Sequence, residues 1–362
     1  MIATLEARGF RNLSDPEVRL SEGIVVAHGP NGAGKSNLLE AVYFGLTGRS
    51  FRTGHDRDMI RFGEDSARVE LELAGGGRVL AALERSGERR HLIDGGSAGS
   101  SQRERPLVSV FHPDRLQLVK GAPAHRRAHL DRLVAAVWPA RADLRRRFGR
   151  TLAQRNALVS RIKAGDAHPA SLAAWDERLA ADAEPLIAAR EEAAEALRGP
   201  FAELAEALGL QEAEVSYRPR ADRGREELLR ELAARRARDL GRAYTSYGPQ
   251  LDELELRLDG RTLKRFGSQG QQRVGLLALL FAERLVLLDA GRPPPLMLLD
   301  DVMSELDLAH RRLLVALLAG SGQALISATE SEQVPGSERA LRIAVSEGSI
   351  TNGSTTNLAA AA

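Results

Sequence analysis

The sequence predicts an α/β fold in which a mixed sheet carries an antiparallel β subdomain and is interrupted by an inserted α-helical domain. Three stretches point to it. Ile24-Val25-Val26-Ala27 reads as a short buried strand running into Gly29-Pro30-Asn31-Gly32-Ala33-Gly34-Lys35-Ser36, after which Asn37 to Tyr43 has helical apolar spacing. In Pro295-Leu296-Met297-Leu298-Leu299-Asp300-Asp301, four apolar residues deliver two carboxylates to a strand's C-terminal end, where α/β sheets bind ligands. From about His125 to Tyr244 the character changes to amphipathic helices.

The remaining elements follow in order. Residues 1–20 suggest two strands around a turn at Asn12 to Pro16. Thr47 to Arg52 is a loop, Val69 to Leu73 and Val79 to Leu83 form a hairpin within a β subdomain of about 65–110, Asp94 to Ser101 is a flexible turn, and Leu107 to Phe111 returns as a strand. In the helical stretch, Leu130, Leu133, Val134 and Val137, then Leu144, Phe148 and Leu152, mark apolar faces. Pro139, Gly165 to Pro169 and Gly199-Pro200 punctuate it, so its helices are expected to be short and compactly folded. Leu254 to Leu258 with Asp259-Gly260 is a hairpin, Val274 to Leu288 a buried helix, and Ala324 to Ser327 and Leu341 to Val345 the last strands. The domains are therefore read as a head of 1–124 and 245–347, a helical insertion of 125–244 and a flexible tail of 348–362.

Composition bounds the function. The 362 residues suffice for two or three domains, and 43% apolar content can build a core, which excludes disorder as the main state. The longest apolar run is broken by Glu283 and Arg284, and no secretion signal is visible. Cysteine is absent, which excludes disulfides and thiolate metal sites; a cytoplasmic protein with no membrane partner is expected. A net charge of +2 announces no nucleic acid, so local charge must carry that argument. Between Arg126 and Lys163, eleven Lys or Arg stand against two Asp, and Arg141, Arg145, Arg146, Arg147, Arg150 and Arg155 have almost no acidic partner one helical turn away. Such a field suits a phosphate backbone, and the lack of interleaved aromatics favours duplex over stacked single strands.

The glycine-rich loop matches G-x-x-x-x-G-K-[ST] and predicts ATP binding by Gly29, Pro30, Asn31, Gly32, Ala33, Gly34, Lys35, Ser36 and the adjoining Asn37. Glycines let backbone N–H groups turn towards phosphate, Lys35 reaches the β- and γ-phosphates, and Ser36 ligates Mg²⁺. Asp300 would hold the same Mg²⁺, directly or through water. Asp301 would orient or deprotonate the attacking water, which makes it and Lys35 the catalytic candidates.

Two further segments carry a resemblance. Ser268-Gln269-Gly270-Gln271 looks like the ABC signature, with a helix N-terminus behind it as an anion contact, and Ser304 to Asp307 looks like the D-loop. Within that superfamily the chain resembles the RecF family over nearly its whole length. Phe10-Arg11-Asn12 is similar to the opening motif, and Phe111-His112-Pro113-Asp114, Leu118-Val119-Lys120-Gly121, Pro123, Arg126-Arg127 and Leu130-Asp131 to the central block. The resemblance implies an ABC-type P-loop ATPase head, with Arg11 and Asn12 among the ATP-binding residues and the signature touching ATP held by a second copy. It also implies an ATP-dependent homodimer, binding to duplex DNA or ss/ds gap junctions, weak DNA-stimulated ATP hydrolysis used as a switch, and work with RecR and RecO in loading RecA. The alternative is an ATPase subunit of another ABC-type assembly, a transporter or an SMC-like chromosome protein. Three departures stand out: Asp301 where glutamate is usual, Ser327-Ala328-Thr329 where a switch histidine is usual, and a Q-loop glutamine with Gln102 and Gln117 as candidates by location alone.

Overall fold

The computed structural model describes residues 1–97, 107–113, 116–221, 224–320 and 322–352. In chain order the elements are β1 (Ile2–Arg8), β2 (Glu17–Arg19), β3 (Gly23–His28), α1 (Lys35–Thr47), β4 (Ser66–Leu73), β5 (Arg78–Glu84), β6 (Arg89–Ile93), β7 (Gly96–Ser97) and β8 (Val108–Phe111). There follow α2 (Gln117–Lys120), α3 (Pro123–Val137), α4 (Leu144–Ala164), α5 (Leu172–Ala207), β9 (Ala213–Arg218), α6 (Arg225–Ala234), α7 (Arg236–Arg242), β10 (Glu253–Leu258), β11 (Arg261–Thr262), α8 (Leu263–Phe266) and α9 (Gln269–Asp289). The chain ends with β12 (Leu296–Leu299), α10 (Leu308–Ala319), β13 (Gln323–Ala328), β14 (Leu341–Ser346) and β15 (Ser349–Asn352).

Residues 1–115 and 293–362 form one compact unit. Its core sheet runs β15-β14-β3-β13-β12-β8, parallel except for the β14–β15 hairpin. All four residues of β12 are buried, as a strand covered on both faces requires. A second, antiparallel sheet runs β2-β1-β4-β5-β6-β7. Helix α1 packs into one core with both: Leu38, Leu39 and Val42 share a cluster with Val69 and Leu71 of β4 and with Leu298 and Leu325 of the core sheet. The expected hairpin is present, but the subdomain is not 65–110: β1 and β2 join its sheet, while β8 pairs in parallel with β12, Val108 opposite Leu296 through Phe111 opposite Leu299.

The expected flexible tail also needs correction. Residues 349–352 are a strand, and the preceding turn is anchored, because Gly348 N–H donates to the Ala33 carbonyl at 2.8 Å and its own carbonyl accepts from Ser14 N–H at 2.8 Å. Gly348 has φ 81°, and a Cβ there would lie 1.8 Å from the Asn12 carbonyl oxygen. The rest of that tail lies outside the described residues.

Residues 116–292 form the second unit, wider than the 125–244 read from sequence. The reason is pairing: β10, assigned to the head by sequence, is antiparallel to β9 along its whole length, from Glu253 opposite Arg218 to Leu258 opposite Ala213. Helix α5 overturns the expectation of short helices. It runs 36 residues, roughly 54 Å at 1.5 Å per residue, with Pro185 and Pro200 inside it. Leu197, Phe201 and Leu204 continue the buried face of Leu186, Ile187 and Ala193, so burial outweighs the hydrogen bonds the prolines remove. Two arginines tie the helices together. Buried Arg155 of α4 donates to Asp176 and Asp239, each at 2.8 Å, and Arg190 of α5 to Asp131 at 2.7 Å and Asp252 at 3.0 Å. Among the described residues no helix is long and apolar enough to cross a membrane.

Candidate functional site

The glycine-rich loop joins β3 to α1, so its backbone lies at the C-terminal edge of the core sheet and at the start of a helix. Gly29 has φ 151° and lies so close to β14 that a Cβ would come 2.0 Å from the Val345 carbonyl oxygen. No other residue fits there. Lys35 opens α1 and folds its ammonium back, donating to the Gly29 carbonyl at 2.7 Å and the Pro30 carbonyl at 2.9 Å. Burial pushes that ammonium below the ordinary lysine value, against the opposing pull of Asp301 and Asp300.

The strand order explains the rest. Because β12 lies between β8 and β13, the residues at the ends of those neighbours flank Asp300. Ser36 donates to Asp300 Oδ1 at 2.8 Å and Ser327 of β13 donates to the same oxygen at 2.6 Å. His112, just past β8, sets Nε2 3.5 Å from Oδ2, and its ring meets Phe51 edge-on at 5.9 Å. Asp301 is exposed and left-handed, with φ 49°, and its N–H donates to Ser327 Oγ at 2.8 Å. Ser327 thus holds both carboxylate-bearing residues.

The donor set fits magnesium and triphosphate. Ser36 and Asp300 offer hard oxygens at one point, as suits a cation that keeps water and phosphate ligands and takes only one or two protein oxygens. Among the described residues there is no cluster of three or more His, Cys, Asp or Glu that would make a self-sufficient metal site.

Arg11, Asn12 and Asn37 brace the loop. Asn37 donates to Asn12 Oδ1 at 2.7 Å, Asn12 donates to the Gly32 carbonyl at 3.4 Å, and Arg11 grips fully buried Glu40 through two 2.9 Å hydrogen bonds. Glu40 also accepts from Ser50 at 2.5 Å. Sequence reasoning named Arg11 and missed Glu40, whose only signal was a carboxylate on the inner face of α1.

Ser304 and Asp307, which resemble D-loop positions in sequence, serve local structure. Ser304 donates to the Asp301 carbonyl at 2.9 Å, and Asp307 caps α10 by accepting from His310 N–H at 2.9 Å, a hydrogen bond that holds its carboxyl below the usual carboxylate range. In the second unit, Ser268 caps α9 in a reciprocal box: its hydroxyl accepts from Gln271 N–H at 3.2 Å, and Gln271 Oε1 accepts from Ser268 N–H at 2.8 Å. Ser268, Gln269 and Gly270 are exposed. Gln117 opens α2 in that unit, and Gln102 lies outside the described residues. The side chain set beside Asp300 is His112 instead.

The arginine run divides. Arg141 pairs with Glu192 at 2.5 Å, Arg145 with Asp131 at 3.4 Å and Arg147 with Asp182 at 3.1 Å, so partners absent along the helix arrive from α3 and α5. Arg155 is buried and belongs to no surface field. Arg146 and Arg150 are exposed, with no ion pair among the described residues.

The RecF/RecN/SMC N terminal domain family matches residues 1–352. The DNA replication and repair protein RecF of Anaeromyxobacter dehalogenans (strain 2CP-C) is 39% identical over 91% of this chain and 92% of its own. That of Heliobacterium modesticaldum is 35% identical over 88% and 89%. A solved structure of the recombination mediator protein RecF-ATP in the RecFOR pathway superposes with a TM-score of 0.84 at 26% identity, covering 98% of this chain and 97% of that one. With the glycine-rich loop, the acidic strand end and the Ser268-capped helix in one continuous match, the chain belongs to the RecF family of ABC-type ATPases.

Proposed function

We propose that the protein is an ATP-driven DNA-binding switch of recombinational repair. One observation carries the ATP half: Ser36 and Ser327 converge on a single oxygen of Asp300 while Lys35 caps the glycine loop beside them. Lys35 would exchange its two carbonyl partners for phosphate oxygens, a change that needs only side-chain rotation. Asp301 would hold the attacking water, and Ser36 and Asp300 would hold Mg²⁺. When bound, the ion supplies neutralisation of the charge on the β- and γ-oxygens. The short Asp301 side chain, on a left-handed backbone fixed by Ser327, favours slow turnover.

The DNA half is supported by Arg146 and Arg150 and by relatives named as DNA replication and repair proteins. ATP held by one copy and covered by the Ser268 segment of a second would make a homodimer, bringing two basic units together on duplex or at a gap junction. Work with RecR and RecO to load RecA in the cytoplasm completes the proposal. Lys35→Met tests it: ATP binding is lost, and DNA affinity no longer responds to ATP. Unchanged ATP affinity in equilibrium dialysis would overturn it.

A further inference from the structure

An exposed aromatic side chain stands in the second unit among cations. Phe266 is 58% exposed, and the guanidinium carbons of Arg265 and Arg261 lie 5.5 Å and 5.8 Å from its ring centroid. Neither arginine forms an ion pair among the described residues. Lys264 is also exposed, its ammonium tethered to the Gly121 carbonyl at 3.0 Å. The platform is rooted: Leu263 is 1% exposed, and Arg261 pairs with Leu258 in the β10–β11 hairpin. Between residues 261 and 266 there are three cations and no anion.

We propose that Phe266, Arg261, Lys264 and Arg265 form a binding site for single-stranded nucleic acid, the ring stacking on a base and the cations facing the phosphates beside it. An exposed ring is uphill in water, and guanidinium groups 5.5 Å or more from its centroid shield it only in part. A purely apolar partner would have no use for three cations without carboxylate partners. A duplex would supply phosphates yet keep its base faces stacked away from the ring. A single strand satisfies both, since every base has a face to stack and every linkage a charge. Among the described residues Arg146 and Arg150 make no such contact with an aromatic ring, so the two sites differ in kind: backbone contact there, base stacking here. The choice of DNA as ligand rests on the function proposed above; the geometry of the site does not.

The test uses the full chain, a fluorescent oligothymidylate and a duplex of matched length, each titrated with and without ATP. Phe266→Ala should weaken single-strand binding about ten-fold and leave duplex binding near the parent's, while Phe266→Trp restores it. Arg261→Ala with Arg265→Ala should reduce the salt slope for the single strand by about 0.7 per cation removed. Single-strand affinity of Phe266→Ala equal to the parent's overturns the site. So does loss of ATP-driven self-association with single-strand binding intact, which would make the patch an interface between copies. A failed ATP response in the parent, with the Phe266 effect still present, would count against the switch and for the site.

Discussion

Asp300 is gripped through one oxygen by two hydroxyls, and the consequence can be tested one atom at a time. Ser36 belongs to the proposed metal shell, whereas Ser327 only orients Asp300 and the Asp301 backbone. Outer groups of this sort typically contribute about 10–100-fold to metal affinity. Ser327→Ala is therefore expected to lower Mn²⁺ affinity of the nucleotide complex by about ten-fold or more, read by electron paramagnetic resonance, with nucleotide affinity in the absence of metal unchanged. Asp300→Asn should abolish metal-dependent turnover, while Asp301→Asn keeps ATP bound and slowly cleaved. A parent rate for Asp301→Asn in single turnover would remove that residue from the chemistry. Much of this was legible in the sequence, because a glycine loop and an apolar strand ending in Asp-Asp are local signals. The contacts of His112 and Ser327 with Asp300 were not, although both residues lie in segments the sequence singles out, since they reach Asp300 only through the pairing of β8 and β13 on either side of β12, which no spacing along the chain announces.

Among the elements, α4 and α5 set the limit on what charge counting can say. Arg141 and Arg147 find carboxylates 51 and 35 residues away, so a run that looks unbalanced along one helix is partly balanced across two. The glycine and proline at 199 and 200 misled for a related reason: they weaken a helix locally, and burial of Leu197, Phe201 and Leu204 decides otherwise. For duplex DNA, neutralising Arg146 and Arg150 together should flatten the salt slope by about 0.9 for each phosphate that no longer meets a cation. Neutralising Arg141 and Arg147 should change it little; an equal effect of both pairs would show that Glu192 and Asp182 give up their arginines freely to phosphate. Arg155→Met leaves buried Asp239 without its arginine, while Asp176 keeps its ion pair with Arg236 at 2.7 Å; removal of one partner from a buried ion group costs about 3–5 kcal/mol, so urea unfolding should reveal a large loss of stability.

For the whole molecule, the division of labour between the compact units matters most. Lys35, Ser36 and Asp300 belong to one unit and the Ser268 segment to the other, with α9 built into the helical unit and not into the one that carries the glycine-rich loop. Under the proposed head-to-tail arrangement, ATP would couple the first unit of one copy to the second unit of its partner. The reciprocal cap at Ser268 sharpens the test, because a substitution there can fail either by blocking phosphate or by fraying α9. Ser268→Arg does both, as loss of the cap costs about 1 kcal/mol. Ser268→Asp separates them. Aspartate caps a helix as well as serine and suits its positive end, so α9 should keep its stability, yet a fixed carboxylate would repel the γ-phosphate of a partner's ATP. Thermal unfolding near the parent's, unaltered ATP binding and loss of ATP-driven dimerisation in sedimentation are the expected results. DNA affinity should then lose its ATP dependence, since two basic units no longer held together forfeit their mutual effective concentration. A Ser268→Asp dimer as tight as the parent's would mean that this helix does not cover a second copy's nucleotide.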